Sequence, residues 1–185
     1  MKKINERGFT LIELLAVITI MGILMMVAIP AVSRTIENSR RDSFASVAKE
    51  YVKAVRTAIL ADNIVCGDDN VVVSAMPDGV YYFVVNTTET QTQDLMESGG
   101  KSPFGGAEIR GYVKWTKTTN DKGEPRINYV IKIGDSGTHG FKDETTEGQL
   151  KRSSVVVKDA YYPAGTEADP NAPEDEGAVK CTYSS

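Results

Sequence analysis

The chain is 185 residues long, 41% hydrophobic and 25% charged, with a formal net charge of −4; these averages exclude a disordered, collagen-like or polytopic membrane protein. Charge divides along the chain, with net +3 on residues 1–62 and net −7 on residues 63–185. The C-terminal part therefore repels nucleic-acid phosphate, and two cysteines, Cys66 and Cys181, are too few for a zinc cluster.

The first predicted element is a long apolar helix. From Phe9 to Val32, 19 of 24 side chains are apolar and only Glu13 is charged. As a helix this stretch spans about 36 Å, enough to cross a hydrocarbon core of about 30 Å. A cleaved secretory signal is the main competing reading. It draws on the basic Lys2, Lys3 and Arg7 and on small residues around Ala28, Ala31 and Ser33. The run is longer than such signals use and contains a carboxylate. The basic flanks, Lys2, Lys3 and Arg7 against Arg34, Arg40, Arg41 and Lys49, nearly tie, so charge does not set the orientation.

Glu13 is the anomaly in that segment. A carboxylate at the centre of a membrane helix costs about 2.5 to 3.5 kcal/mol on insertion scales. A cut between Gly8 and Phe9 creates an α-ammonium four residues before Glu13, one helical turn away or within reach of a neighbour's Glu13. The simpler reading is a glutamate at the helix N-terminus, favoured by the macrodipole.

Lys2-Lys3, then Arg7-Gly8-Phe9-Thr10-Leu11-Ile12-Glu13-Leu14, an apolar run and Pro30 together resemble the N-terminal signature of type IV prepilins and of the pseudopilins of type II secretion and competence systems. The resemblance is close over about the first 35 residues. It implies that prepilin peptidase removes residues 1–8 after Gly8, that Phe9 becomes the N-methylated terminus, and that Glu13 pairs with a neighbour's terminus during assembly. It places helix kinks at Gly22 and Pro30, which agrees with their chemistry. Pro30 lacks an amide hydrogen, and glycine weakens a helix by about 1 kcal/mol relative to alanine; a plain membrane helix also tolerates both. The implied partners are other pilins in a homo- or hetero-polymer, prepilin peptidase, and an inner-membrane platform protein with its assembly ATPase. The implied life history is a single-pass membrane protein before assembly and a cell-surface filament afterwards, serving adhesion, motility, protein secretion or DNA uptake. A membrane-anchored or secreted ligand-binding domain is the alternative.

Beyond Pro30 the pattern turns amphipathic. Phe44, Val47, Ala48, Tyr51, Val52, Val55, Ala58 and Ile59 recur at helical spacing, with charges mostly opposite. This predicts a helix from residue 9 to about residue 61, divided into an apolar part (9–32) and an amphipathic part (33–62), with a break allowed near Pro30. Residues 63–185 read as a β-rich head. Strands are predicted at 79–86, 112–118 and 126–133, with a hairpin turn at 120–125, a short helix at 92–98 and an edge strand at 154–158. The expected fold is α+β and pilin-like, a long N-terminal helix packed on a small antiparallel sheet. Residues 163–177, with three prolines and an acidic run, read as an exposed loop.

For an exported protein Cys66 and Cys181 are expected to form a disulfide that pins this loop. The resemblance supports the bridge, since many pilins close a C-terminal region this way; two buried free thiols are the other reading. Enzyme chemistry is not expected. His139, the only histidine, lies in a turn-like Gly-Thr-His-Gly context read as a surface loop, with no nucleophile and base motif around it. No catalytic residue, metal site or cofactor is expected. Asp68-Asp69-Asn70 lacks an EF-hand register and reads as a solvated turn. Asn86-Thr87-Thr88 fits a glycosylation sequon of a kind frequent by chance. Lys114, Lys117 and Lys122 are an example of a local basic patch expected to escape the acidic average.

Overall fold

A computed structural model of the chain describes residues 10–96, 100–135, 139–157, 173 and 175–184. It divides into two compact units, residues 1–39 and 40–185. One helix, α1 (Leu11–Leu60), contributes to both and is helical through Gly22 and Pro30 without interruption. Pro30 removes one amide donor, but no break in the helix accompanies it. Gly8 and Phe9, with the rest of the leader, lie outside the described residues.

In the first unit the described residues are helix alone apart from Thr10, and every large apolar side chain from Leu11 to Val32 is exposed, Leu11 by 84% and Met26 by 77%. A helix that is apolar all round buries itself in lipid or among other helices rather than in its own chain. Its polar groups are satisfied locally. Thr19 Oγ1 donates to the carbonyls of Leu15 (3.0 Å) and Ala16 (2.8 Å), as a hydroxyl in an apolar medium must.

The second unit is a sheet with the last third of α1 laid on it. Phe44, Ala45, Ala48, Tyr51, Val52, Val55, Ala58 and Ile59 are buried, which is the predicted stripe with Ala45 added and with Val47 only half-buried at its margin. The strands are β1 (Ile64–Cys66), β2 (Val71–Val72), β3 (Gly79–Asn86), β4 (Ile109–Thr119), β5 (Pro125–Asp135), β6 (His139–Phe141), β7 (Thr145–Thr146), β8 (Val155–Val157) and β9 (Val179–Tyr183). Their order is β2-β1-β9-β3-β4-β5-β6-β8, with β7 paired to β5. The β4–β5 hairpin turns through residues 120–124, where Asn120 Oδ1 accepts from the amides of Lys122 and Glu124. Strand alternation sends Tyr81, Phe83, Val85, Val113, Trp115, Ile131 and Ile133 into the core under the helix.

Two expectations need correction. The sheet is mostly rather than wholly antiparallel, because β9 lies parallel to β3. The short helix α2 is Thr90–Leu95, starting two residues earlier than predicted, and residues 97 and 98 lie outside the described residues. The strand that follows the predicted loop 163–177 is one the sequence reading did not name. Most of 163–177 lies outside the described residues, but the chain then supplies β9, an internal strand between β1 and β3. The predicted edge strand is present as β8, with Lys158 outside the described residues.

Candidate functional site

The first turn of α1 is built as a reciprocal cap. Thr10 stands just before the helix, and its carbonyl accepts the first helical bond from Leu14 N (3.2 Å). Glu13, three residues on, turns its side chain back. Thr10 N donates to Glu13 Oε2 at 2.8 Å and Thr10 Oγ1 donates to the same oxygen at 2.7 Å. Glu13 N in turn donates to Thr10 Oγ1 at 3.4 Å. This is the Thr-x-x-Glu capping box, which satisfies otherwise orphaned amide donors at a helix start. The macrodipole favours a carboxylate at that end. Both bonds to the carboxylate fall on Oε2, so Oε1 takes neither of them. Glu13 is exposed, at the head of an apolar helix.

Thr10 is the residue that reading the sequence for charge misses. Its signal was the spacing itself, a threonine three positions before a glutamate at the start of an apolar run. Gly22 is helical and exposed, and a β-carbon added there meets nothing within 4 Å. Pro30 lies eight residues further on, inside the same helix.

Residues 3–29 match the prokaryotic N-terminal methylation motif. The chain carries the type IV pilin and pseudopilin signature. No curated protein and no solved structure matches it. The matched residues cover the apolar stretch up to the residue before Pro30 and end short of the sheet unit. The pilin signature and the exposed apolar helix are consistent with membrane anchoring before assembly, and α1 is, among the described residues, the one helix long and apolar enough to cross a bilayer.

In the pilin-like head, Cys66 and Cys181 are cross-strand partners in the β1–β9 pairing and are joined by a disulfide, with S–S 1.98 Å. The bridge fixes the internal strand β9 to the strand that follows α1. Lys114, on β4, adds a second tether near the C-terminus. Its Nζ lies 2.5 Å from Glu144 Oε2 and 2.5 Å from Asp175 Oδ2, and Tyr112 Oη donates to Glu144 Oε1 at 2.9 Å. Burial alone lowers the pKa of the Lys114 ammonium, but the bonds to Asp175 and Glu144 outweigh it and hold that pKa above the ordinary lysine value.

The predicted basic patch does not survive folding. Lys114 and Lys117 are each 8% exposed, and the Lys117 ammonium donates to three carbonyls, those of Val73 (3.1 Å), Ser74 (3.0 Å) and Met76 (2.6 Å). Only Lys122 of the three stays exposed. His139 also departs from its reading as a surface-loop residue, since it is 7% exposed, opens β6 and stacks on Phe104 with ring centroids 3.5 Å apart. Its amide donates to Asp135 Oδ1 (2.8 Å) while Ser102 Oγ donates to Asp135 Oδ2 (2.7 Å). The buried carboxylate therefore ties the segment around Ser102 to the end of β5. Among the described residues no group of His, Cys, Asp and Glu is arranged to hold a metal ion.

Proposed function

We propose that this chain is a structural subunit of a type IV pilus-like filament, stored in a membrane by its N-terminal helix and assembled through that helix into a helical fibre. The observation that carries the reading is the apolar part of α1. It is exposed all round, headed by a capped glutamate, and lies within the stretch that matches the methylation motif. So much contiguous apolar surface does not remain in water; lipid covers it before assembly and neighbouring helices cover it afterwards.

In this reading prepilin peptidase cuts after Gly8, and Phe9 becomes the N-methylated terminus, adjacent to Thr10 and Glu13. The capping box keeps the Glu13 carboxylate satisfied while the subunit stands alone in the membrane. On assembly, the Phe9 ammonium of a neighbour becomes a charged partner for that carboxylate and sets the axial register, since a charge-assisted bond in an apolar medium is stronger than a neutral one. The open space at Gly22 lets another helix approach closely. An inner-membrane platform protein and its ATPase drive extraction, and the chain's role is structural rather than enzymatic. The test is imaging of cells producing the full chain or Glu13→Val. Surface filaments from the unaltered chain, and a membrane-inserted but unassembled variant, are expected. Normal filaments from Glu13→Val overturn the pairing role.

A further inference from the structure

We infer that Lys114 and Asp175 condense into an intramolecular amide, an isopeptide bond, with Glu144 moving the protons. The inference concerns the head alone and does not depend on the filament reading.

Tyr112 and Lys114 alternate along β4 with Val113 and Trp115, which enter the core, so they stand on the opposite face of the sheet. In register, Lys114 is flanked by Tyr82 on β3 and Val130 on β5, and the Tyr82 and Tyr112 rings meet edge-on at 6.4 Å. Cross-strand neighbours of this kind cover the aliphatic stem of a lysine, and only its end reaches polar groups. Lys117, equally buried, directs its ammonium at three backbone carbonyls. Lys114 instead meets two carboxyl groups, with Nζ 2.5 Å from Asp175 Oδ2 and 2.5 Å from Glu144 Oε2. The carboxyl carbon of Asp175 is one bond beyond Oδ2, close to the separation of about 3 to 3.5 Å from which a positioned group attacks. The partners come from distant parts of the chain, Lys114 and Asp175 being 61 residues apart.

The two carboxyl groups are held differently. Glu144 Oε1 accepts from Tyr112 Oη at 2.9 Å, which orients that carboxylate and leaves Oε2 on the amine. The Asp175 carboxylate has, among the described residues, no partner other than Lys114. Glu144 is therefore the base and Asp175 the acyl group. Lys114 Nζ gives a proton to Glu144 Oε2, and the neutral amine attacks Asp175 Cγ. Two of the three ammonium protons pass through Glu144 to one Asp175 oxygen. The Nζ–Cγ bond forms, that C–O bond breaks, and the oxygen leaves as water. Net charge is unchanged, because the ammonium and one carboxylate disappear together, and no further reactant is needed. A cavity of about 370 Å³ lined by these four residues, Lys132 and Asp143 gives the water room to leave. Two factors favour the product. The groups are already positioned, and a neutral amide removes two charges whose burial is costly. The ion pair is the unlinked chain, in which Lys114 titrates; the linked chain has no Lys114 ammonium. Once linked, the segment before β9 is held by an amide as well as by the Cys66–Cys181 bridge, so reduction alone does not release it.

The test is peptide mapping by mass spectrometry, after reduction of the disulfide, of the full chain purified folded in detergent and followed over time. A linked pair of fragments holding Lys114 and Asp175, one water lighter than their sum, is expected to accumulate. It is expected to be absent from Lys114→Arg, which keeps the cation. Glu144→Gln still accepts from Tyr112 but is no base, and it is expected to slow linking about a hundredfold. Thermal unfolding of each variant checks that the head is folded. A folded, unaltered chain whose two fragments stay separate and at full mass overturns the inference. A link from Lys114 to Glu144 overturns the assignment of Asp175, and an undiminished rate in Glu144→Gln overturns the role of Glu144. None of these outcomes bears on the filament reading, which stands or falls on filament imaging.

Discussion

Residues 11–39 and 40–60 belong to one continuous helix but meet opposite fates. In the first stretch no side chain is buried by its own chain; in the second a full stripe is. Helix propensity does not separate them, because both form the same secondary structure. The distribution of apolar residues does. An apolar stripe one face wide finds a sheet in its own chain, whereas an apolar surface on every face has no intramolecular solution. The first stretch is thus available to lipid and to other subunits, and the second contributes to the stability of the head.

That contrast is broken or sharpened by a graded set of substitutions. The largest effect is expected from Cys66→Ser/Cys181→Ser. The bridge spans a sequence separation of 115, and closing such a loop is worth about 4 to 5 kcal/mol in the chain-entropy model; denaturant unfolding of the oxidised and substituted proteins measures it. Phe44→Ala, in the buried stripe and with its ring tilted against that of Phe141 at a centroid distance of 5.7 Å, is expected to cost about 3 to 5 kcal/mol in the same assay. Lys117→Met strands three carbonyls and is expected to cost about 1 to 3 kcal/mol. Ile23→Ala, in the exposed stretch, is expected to leave head unfolding within about 0.5 kcal/mol while lowering filament yield. An Ile23→Ala effect on head unfolding as large as that of Phe44→Ala contradicts the division of the helix.

The smallest expected effects are on pH dependence. Lys114 has a raised pKa in the folded chain, so its contribution is complete below the ordinary lysine value of about 10.4 and is lost as pH rises through the folded value. The bond from Arg152 holds the Asp42 carboxyl below the usual range, so that contribution is present above about 3.9 and is lost as pH falls through the folded value. Both groups lie in the unit formed by residues 40–185. Thermal melts across pH are expected to decline modestly at both extremes, and Lys114→Met is expected to flatten the alkaline limb.

The helix and the main strands were legible from sequence because periodicity carries them. The stripe from Phe44 to Ile59 has period 3.6, and β3, β4 and β5 are rich in β-branched and aromatic residues. What was not legible depends on contacts between distant residues. The three-residue β6 and the burial of His139 require Phe104 and Asp135, which lie 35 and 4 residues away in sequence. Lys114 and Lys117 read as a surface patch because sequence shows their charge but not the carboxylates and carbonyls that fold around them. The internal place of β9 is a matter of topology. A five-residue run after an acidic loop carries no local sign that it enters the sheet between β1 and β3. Tyr51 adds a similar case. Its hydroxyl donates to Gly100 O at 2.9 Å, and burial holds its phenol above the ordinary tyrosine pKa. A β-carbon at Gly100 would lie 2.5 Å from that hydroxyl, with φ at +74°, so the site needs glycine for both space and conformation.

The central claim is that the apolar stretch is a processed assembly helix beginning at Phe9. Intact-mass and N-terminal fragment analysis of the chain recovered from sheared surface filaments tests it most directly. The account predicts loss of residues 1–8 and a terminus at Phe9 carrying one methyl group, with Glu13 and the apolar helix retained. A chain that still begins at Met1, or one that begins near Ala31 with the apolar stretch removed, contradicts it.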